Sequence, residues 1–391
     1  MILAGLFEQS SFRMKEFFRL VSYWIYRLLP KFNHAVVYGW PDFEDSCLAL
    51  QAELNKTKVR KVILFISKAE SKSPLPLGEK TTVVIKDSMR GLFWFLCAKY
   101  VFFTHRCFMW KFPPNVVSVN VWHGMPIKRI GWMLSGNRGI SSRYALATSK
   151  FWADIIQKSM SPFEKTLITG LPRNDRLFSD RDRVWNRLNL PENQRESKLI
   201  AWLPTYRKSV YGEIRQDGRE SGNVFGTPGI SPARLNEFLK EHNAYAFVKL
   251  HPMAPFNGVA ILSNLLIFDD NWLRDRELTL YEIVGQSDIM ISDISSILVD
   301  YLILDRPVIH CFPDIDEYRQ SRGFSIEPVT DYFVGPVTTS AEELFAALDQ
   351  VLKGEDTHAT VRRKIRQLFF NDTNNKATVR LLEQIGLPTI R

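Results

Sequence analysis

The chain has 391 residues, 45% of them hydrophobic, 13% aromatic and 24% charged, with Gly and Pro at 20 each; this excludes a disordered or collagen-like chain and leaves room for two or three domains of roughly 100–200 residues. The 4 cysteines, Cys47, Cys97, Cys107 and Cys311, form no CxxC pair, which argues against a disulfide scaffold or a thiolate metal site and fits a reduced, cytosolic chain. Lys plus Arg exceed Asp plus Glu by 51 − 42 = +9, a surplus that points to a nucleic acid, an anionic lipid or a phosphorylated substrate, with plain solubility as the alternative.

At the N-terminus there is no run of about 18–20 apolar residues, so no spanning helix is expected. Met1–Phe7 lacks the basic region and cleavage site of a secretory signal. Phe12–Lys31 is different. It sets Arg13, Lys15, Arg19, Arg27 and Lys31 against Phe17, Phe18, Val21, Trp24, Ile25 and Leu28 at helical spacing, with Glu16 its only acid. Two readings fit such a basic amphipathic helix: one lying on anionic lipid, or one packed on the body of the protein. Residues 1–32 are therefore set apart as a membrane-associating helix.

From His34 the pattern changes to short apolar runs alternating with helical stretches. His34–Tyr38, Val62–Ile66, Thr82–Ile85, Tyr100–Phe103, Val116–Val121, Tyr144–Ala147 and Leu167–Gly170 read as buried strands, with Phe43–Asn55, Met89–Lys99 and Phe151–Ser159 as helices between them. Pro191–Lys198 is polar and aperiodic and reads as a linker. The alternation resumes with strands Leu199–Leu203, Ala246–Leu250, Leu265–Phe268, Ile289–Ser292 and Val308–Cys311, and helices Pro232–Glu241, Leu280–Gly285 and Ile297–Leu304. Tyr211–Gly229 reads as a loop, and Ser340–Ile385 as amphipathic helices. The expected fold class is α/β: two doubly wound domains, residues 33–192 and 199–338, facing a cleft, followed by C-terminal helices over 339–391. Ligands of such sheets bind at the carboxyl ends of the strands.

Polar clusters stand at those ends. Trp122-His123-Gly124 follows the strand ending at Val121, with Lys128 and Arg129 behind it; a strand-end histidine beside a glycine is placed for proton transfer near neutrality. Gly170-Leu171-Pro172-Arg173-Asn174-Asp175 follows the next predicted strand but one, and Arg173 offers a planar fork that matches a phosphate, while Asn174 or Asp175 also suits a helix cap. Pro204-Thr205-Tyr206-Arg207 and Lys249-Leu250-His251-Pro252 follow strands of the second half. Asp293-Ile294-Ser295-Ser296 opens a helix whose hydroxyls and free N–H groups suit phosphate oxygens, though simple capping explains the same residues. Asp300 lies one turn inside that apolar helix, where an acid is costly unless paired, and this points to a role facing the cleft. The acidic pairs Asp180/Asp182, Asp269/Asp270 and Asp314/Asp316 read as surface charge rather than metal ligands.

The order and wording of these clusters resemble the CDP-glycerol glycerophosphotransferase family of teichoic-acid primases and polymerases, with relatives in capsule synthesis. The matching blocks are WHGMPIKRIG at 122–131, GLPRND at 170–175, LPTYR at 203–207, KLHP at 249–252, DIMISDISSILVDY at 288–301 and RGF at 322–324. Met125 stands where that family commonly has Thr, and Ile294 where it has Tyr. The resemblance implies a two-lobed GT-B fold and transfer of glycerol phosphate or ribitol phosphate from a CDP-alditol to a hydroxyl on a lipid-linked or polymer acceptor, with release of CMP. It implies two catalytic histidines, His123 as the base and His251, which with Ser295, Ser296 and Arg207 surrounds the donor diphosphate. Gly124, Lys128, Arg173, Asn174, Thr205, Lys249, Asp293, Asp300 and Arg322 complete the expected substrate site. No cofactor is expected beyond a non-essential Mg²⁺ carried with the donor, and no nucleic-acid partner; the expected location is the inner face of the cell membrane. A GT-B glycosyltransferase using a nucleotide sugar is the alternative.

Overall fold

The computed structural model describes residues 19–105, 107–109, 111–134, 141–190, 192–204, 225–249 and 259–390. In the first lobe, β1 (Phe32–Tyr38), β2 (Lys61–Ile66), β3 (Thr81–Ile85), β4 (Ala98–Phe103), β5 (Val117–Asn120), β6 (Ser142–Ala147) and β7 (Phe163–Ile168) form a parallel sheet in the order β3-β2-β1-β4-β5-β6-β7. Val62, Ile63, Leu64 and Phe65 are all buried, as befits strands covered on both faces, whose sequences run apolar without alternation. The helices of this lobe are α1 (residues 19–28), α2 (Asp45–Leu54), α3 (Met89–Cys97), α4 (Lys150–Met160) and α5 (Arg181–Leu188). Ser88, Ser149 and Asp180 cap α3, α4 and α5 by accepting N–H bonds from Gly91, Trp152 and Arg183.

The second lobe repeats the plan. β8 (Lys198–Leu203), β9 (Ala244–Lys249), β10 (Ala260–Ile261), β11 (Leu265–Phe268), β12 (Ile289–Ser292), β13 (Val308–Cys311) and β14 (Val337–Thr338) lie in the order β10-β11-β9-β8-β12-β13-β14. Only β10 runs antiparallel to its neighbour. Its helices are α6 (Pro232–Glu241), α7 (Asp270–Asp275), α8 (Leu280–Val284), α9 (Ser296–Tyr301), α10 (Ile315–Ser321) and α11 (Ala341–Leu352). The strand order reverses between β1 and β4 in one sheet and between β8 and β12 in the other. Those are the points where open α/β sheets take their ligands.

Three departures from the sequence reading have simple causes. The strand expected at Leu167–Gly170 begins at Phe163, because β7 is an edge strand whose exposed Glu164 and Lys165 hide its apolar pattern. Pro191–Lys198 is not a free linker: a 3₁₀ turn at Glu192–Glu196 leads straight into β8. The C-terminal helices α12 (Ala359–Phe369) and α13 (Ala377–Gln384) cross back onto the first lobe. There the Thr148 hydroxyl donates to the Phe369 carbonyl at 2.7 Å, Asp175 accepts the N–H groups of Ala377 and Thr378 at 2.8 and 2.9 Å, and the Ile390 N–H reaches the Lys56 carbonyl at 2.7 Å. The loop expected at Tyr211–Gly229 lies largely outside the described residues.

Candidate active site

His123 sits three residues beyond β5, at the carboxyl edge of the first sheet. The chain turns sharply there: Trp122 has φ 53° and Gly124 φ 129°. A β-carbon on Gly124 would lie 2.4 Å from both the Arg173 guanidinium and the Ser296 hydroxyl, so glycine is required on steric as well as conformational grounds. The His123 ring places Nδ1 3.3 Å from the Thr104 carbonyl oxygen at the end of β4. A carbonyl only accepts, so Nδ1 carries a proton, and in the neutral ring the lone pair is on Nε2. That is the tautomer of a general base.

The His123 carbonyl ties the two lobes together. It accepts from Arg173 Nη1 at 2.6 Å and from the Ser296 hydroxyl of α9 at 3.3 Å. Arg173 in turn pairs with Asp300, and Asp300 also accepts from Asn174 Nδ2 at 2.8 Å and from the Tyr281 hydroxyl at 2.6 Å. Asp300 is fully buried and Arg173 nearly so. Burial works against the Arg173 charge, but Asp300, Tyr281 and Glu44 outweigh it and bind its proton more firmly than usual. Burial also pushes the Tyr281 phenol well above its ordinary range, so it serves as a donor.

Just beyond, a second seam joins the lobes. Lys128 bridges to Phe324, the Arg129 N–H donates to the Gly323 carbonyl at 3.2 Å, and the Ser325 N–H donates to the Ile127 carbonyl at 2.8 Å. Lys128 Nζ stands 5.5 Å from the centre of the Tyr318 ring, and Arg322 closes the helix α10 that carries Tyr318.

Of the residues singled out in the sequence, His123, Gly124, Arg173, Asn174, Ser296 and Asp300 therefore meet in one cluster, with Lys128 and Arg322 at the adjoining seam. Asp293 and Ser295 lie between β12 and α9 at the switch point; Ser295 is the N-cap, but its hydroxyl makes no capping bond. Lys249 ends β9 and pairs with Asp270 at 3.0 Å. Thr205, Arg207 and His251 lie outside the described residues. Two expectations change character. The Arg173 fork is taken up by a carbonyl and a carboxylate rather than left open for phosphate, and Asp300 faces the first lobe rather than open space. The cost of an unpaired acid in an apolar helix was legible in the sequence; a partner 127 positions away was not.

Sequence reading passed over Thr104, His105 and Tyr281. The His105 ring lies parallel to His123, 4.2 Å away between centroids and 7° between planes. Like His123, it follows a central strand within a few residues, the one signal that marks it.

The family model for CDP-Glycerol:Poly(glycerophosphate) glycerophosphotransferase matches residues 23–387. A teichoic acid poly(glycerol phosphate) polymerase of Bacillus subtilis is 27% identical over 71% of this chain and 38% of its own length. A teichoic acid poly(ribitol-phosphate) polymerase of Bacillus spizizenii is 22% identical over 94% and 58%. A teichoic acid glycerol-phosphate transferase of Staphylococcus aureus is 24% identical over 77% and 79%. The chain thus spans only part of the two polymerases. A solved structure of the wall teichoic acid polymerase TagF superposes with a TM-score of 0.73 at 20% identity, over 90% of this chain and 88% of that one. That likeness gives the fold: two mostly parallel sheets in a GT-B-like arrangement.

Proposed function

Because the chain belongs to the CDP-glycerol:poly(glycerophosphate) glycerophosphotransferase family, we propose that it transfers glycerol phosphate or ribitol phosphate from a CDP-alditol to a hydroxyl acceptor of a surface polymer, releasing CMP. The observation that carries this reading is His123, held in the base tautomer by Thr104 and locked at its carbonyl to the second lobe. Nε2 takes the acceptor's hydroxyl proton as that oxygen attacks the phosphorus bearing the alditol. The bond from that phosphorus to the bridging oxygen breaks, and CMP leaves with the bridging oxygen. Such a displacement needs positioning and charge neutralisation more than covalent chemistry.

In this proposal Asp293, Ser295, Ser296, Lys249, Thr205, Arg207 and His251 surround the donor diphosphate from the second lobe, and Gly124, Lys128 and Arg322 line the approach between lobes. Arg173, Asn174 and Asp300 hold the lobes in register instead of touching substrate. Basic side chains stand in for a divalent cation at the diphosphate. EDTA is therefore expected to leave turnover unchanged, and a loss reversed by Mg²⁺ would require a metal.

Peripheral attachment to an anionic membrane belongs to the same proposal. No helix among the described residues is long and apolar enough to cross a membrane. Helix α1 packs inward through Tyr26, stacked 5.7 Å from Phe95, and turns Leu20, Val21, Trp24, Ile25 and Leu28 outward, the last 80% exposed. Met89 and Phe93 of α3 are exposed as well, and the Arg27 guanidinium lies 4.9 Å over the Trp24 ring. An apolar face edged by aromatic and basic groups suits a lipid interface. Co-sedimentation with vesicles containing phosphatidylglycerol is expected, and Leu28→Glu with Trp24→Glu should abolish it.

The decisive assay supplies CDP-glycerol or CDP-ribitol with an acceptor and measures CMP. His123→Ala should lower turnover by about 10²–10⁴-fold. Absence of CMP from both donors overturns the proposal, and a glycosidic product from a nucleotide sugar would establish the glycosyltransferase alternative.

A further inference from the structure

We propose that His105 is a positioning residue for His123: its imidazole backs the His123 ring and, as a second titrating site against its face, keeps His123 unprotonated to lower pH. This rests on the reading of His123 as the base.

Strands β4 and β5 are neighbours, with Phe103 opposite Asn120, so the residues that follow them emerge side by side at the β1/β4 switch. Thr104 holds both rings. Its carbonyl stands 3.3 Å from His123 Nδ1 and its hydroxyl 2.9 Å from His105 Nδ1. Thr104 is itself fixed on two sides, its N–H donating to the Tyr38 carbonyl at 3.0 Å and its hydroxyl accepting from the Trp40 N–H at 3.2 Å. The Trp40 ring meets His105 edge-on, 5.5 Å between centroids and 74° between planes. The parallel stack on His123 is therefore the product of a braced corner rather than of two loose side chains.

Two imidazolium rings face to face at 4.2 Å repel. The pair thus takes one proton readily and resists a second, and its titration belongs to both rings together. Arg173 sits on the His123 carbonyl and opposes added positive charge, with Asp300 beyond it. Glu44 stands behind Gly39, where a β-carbon would lie 3.1 Å from its Cγ and 3.6 Å from the Thr104 hydroxyl, and burial raises its carboxyl above the ordinary range. A proton resting on His105 therefore keeps a second one off His123, and the base stays neutral to lower pH.

The test compares CMP release across pH in the wild type, His105→Phe, His105→Ala and His123→Ala, with ring resonances of His123 followed by NMR in the same variants. His105→Phe keeps the flat surface without the second titrating site. It should retain turnover within about threefold while the acid limb of kcat/KM and the His123 resonance both move to higher pH, by roughly half a unit or more. His105→Ala removes the surface and should lower kcat by about tenfold, with KM for the CDP-alditol unchanged. Wild-type kcat and an unmoved acid limb in both His105 variants, beside an inactive His123→Ala, would overturn this proposal and leave the base intact. An active His123→Ala would instead remove the base and this role with it. Should His105→Ala fail to fold, the pH shift in His105→Phe decides alone.

Discussion

Asp300 and Asp45 are both buried carboxyl groups near the junction of the lobes, and they are treated in opposite ways. Asp300 receives Arg173, Asn174 and Tyr281. Asp45, at the start of α2, has an Oδ1 without a hydrogen-bond partner among the described residues, and burial raises its pKa from 3.8 to about 7. The nearby cations are taken by another acid: the fully buried Glu282 of α8 pairs with Arg183 and with Arg176 at 3.5 Å, and accepts the Thr279 N–H at 3.0 Å. Glu282 and Glu44 then add their own negative charge to the surroundings of Asp45. Burial alone does not decide whether an acid stays charged; the allocation of arginines does.

This contrast can be broken most forcefully at Asp300. Asp300→Ala leaves Arg173 buried without its anion and should cost about 3–5 kcal/mol in urea unfolding; wild-type stability in that variant would mean the pair is not what joins the lobes. Gly124→Ala probes the same clamp from its crowded side. With φ at 129° and a β-carbon 2.4 Å from Arg173 and Ser296, it should lose about 1–3 kcal/mol, and Gly124→Ala combined with Asp300→Ala should fall short of additivity because both loosen one contact.

The smallest and most discriminating effect is at Asp45. Its carboxyl holds a proton in the folded protein that the unfolded chain has released, so its contribution to stability is complete below pH 3.8 and is lost as the pH rises through about 7. Asp45→Asn should flatten that slope and, at pH 8, make the protein more stable than wild type by about 1 kcal/mol. Urea midpoints between pH 5 and 8 measure it. An unchanged slope would show that Asp45 has found a counter-charge after all.

Much of this was legible from the residues themselves. Parallel strands covered on both faces leave continuous apolar runs, and their ends are marked by the polar clusters that hold His123, Arg173 and Ser296. The sequence also showed that Asp300 needed a companion. What it could not show depends on distance along the chain: the pairing of Asp300 with Arg173, the stacking of His105 on His123 across adjacent strands, and the return of α12 and α13 to the first lobe. Each requires the sheet order, which apolar periodicity does not encode. Thr104 was invisible for another reason, since it holds His123 through a backbone carbonyl that any residue supplies.

The return of the C-terminal helices has a practical consequence for dissecting the protein. One apolar core runs from Val37 and Leu146 in the first sheet to Phe369 and Leu381 at the far end of the chain. A fragment cut after Ser197 would therefore lose its own roof and expose Trp152, on which Phe369 rests at 4.8 Å. Separate expression of the halves should yield an insoluble N-terminal piece, rescued when residues 354–391 are fused behind it through a flexible tether.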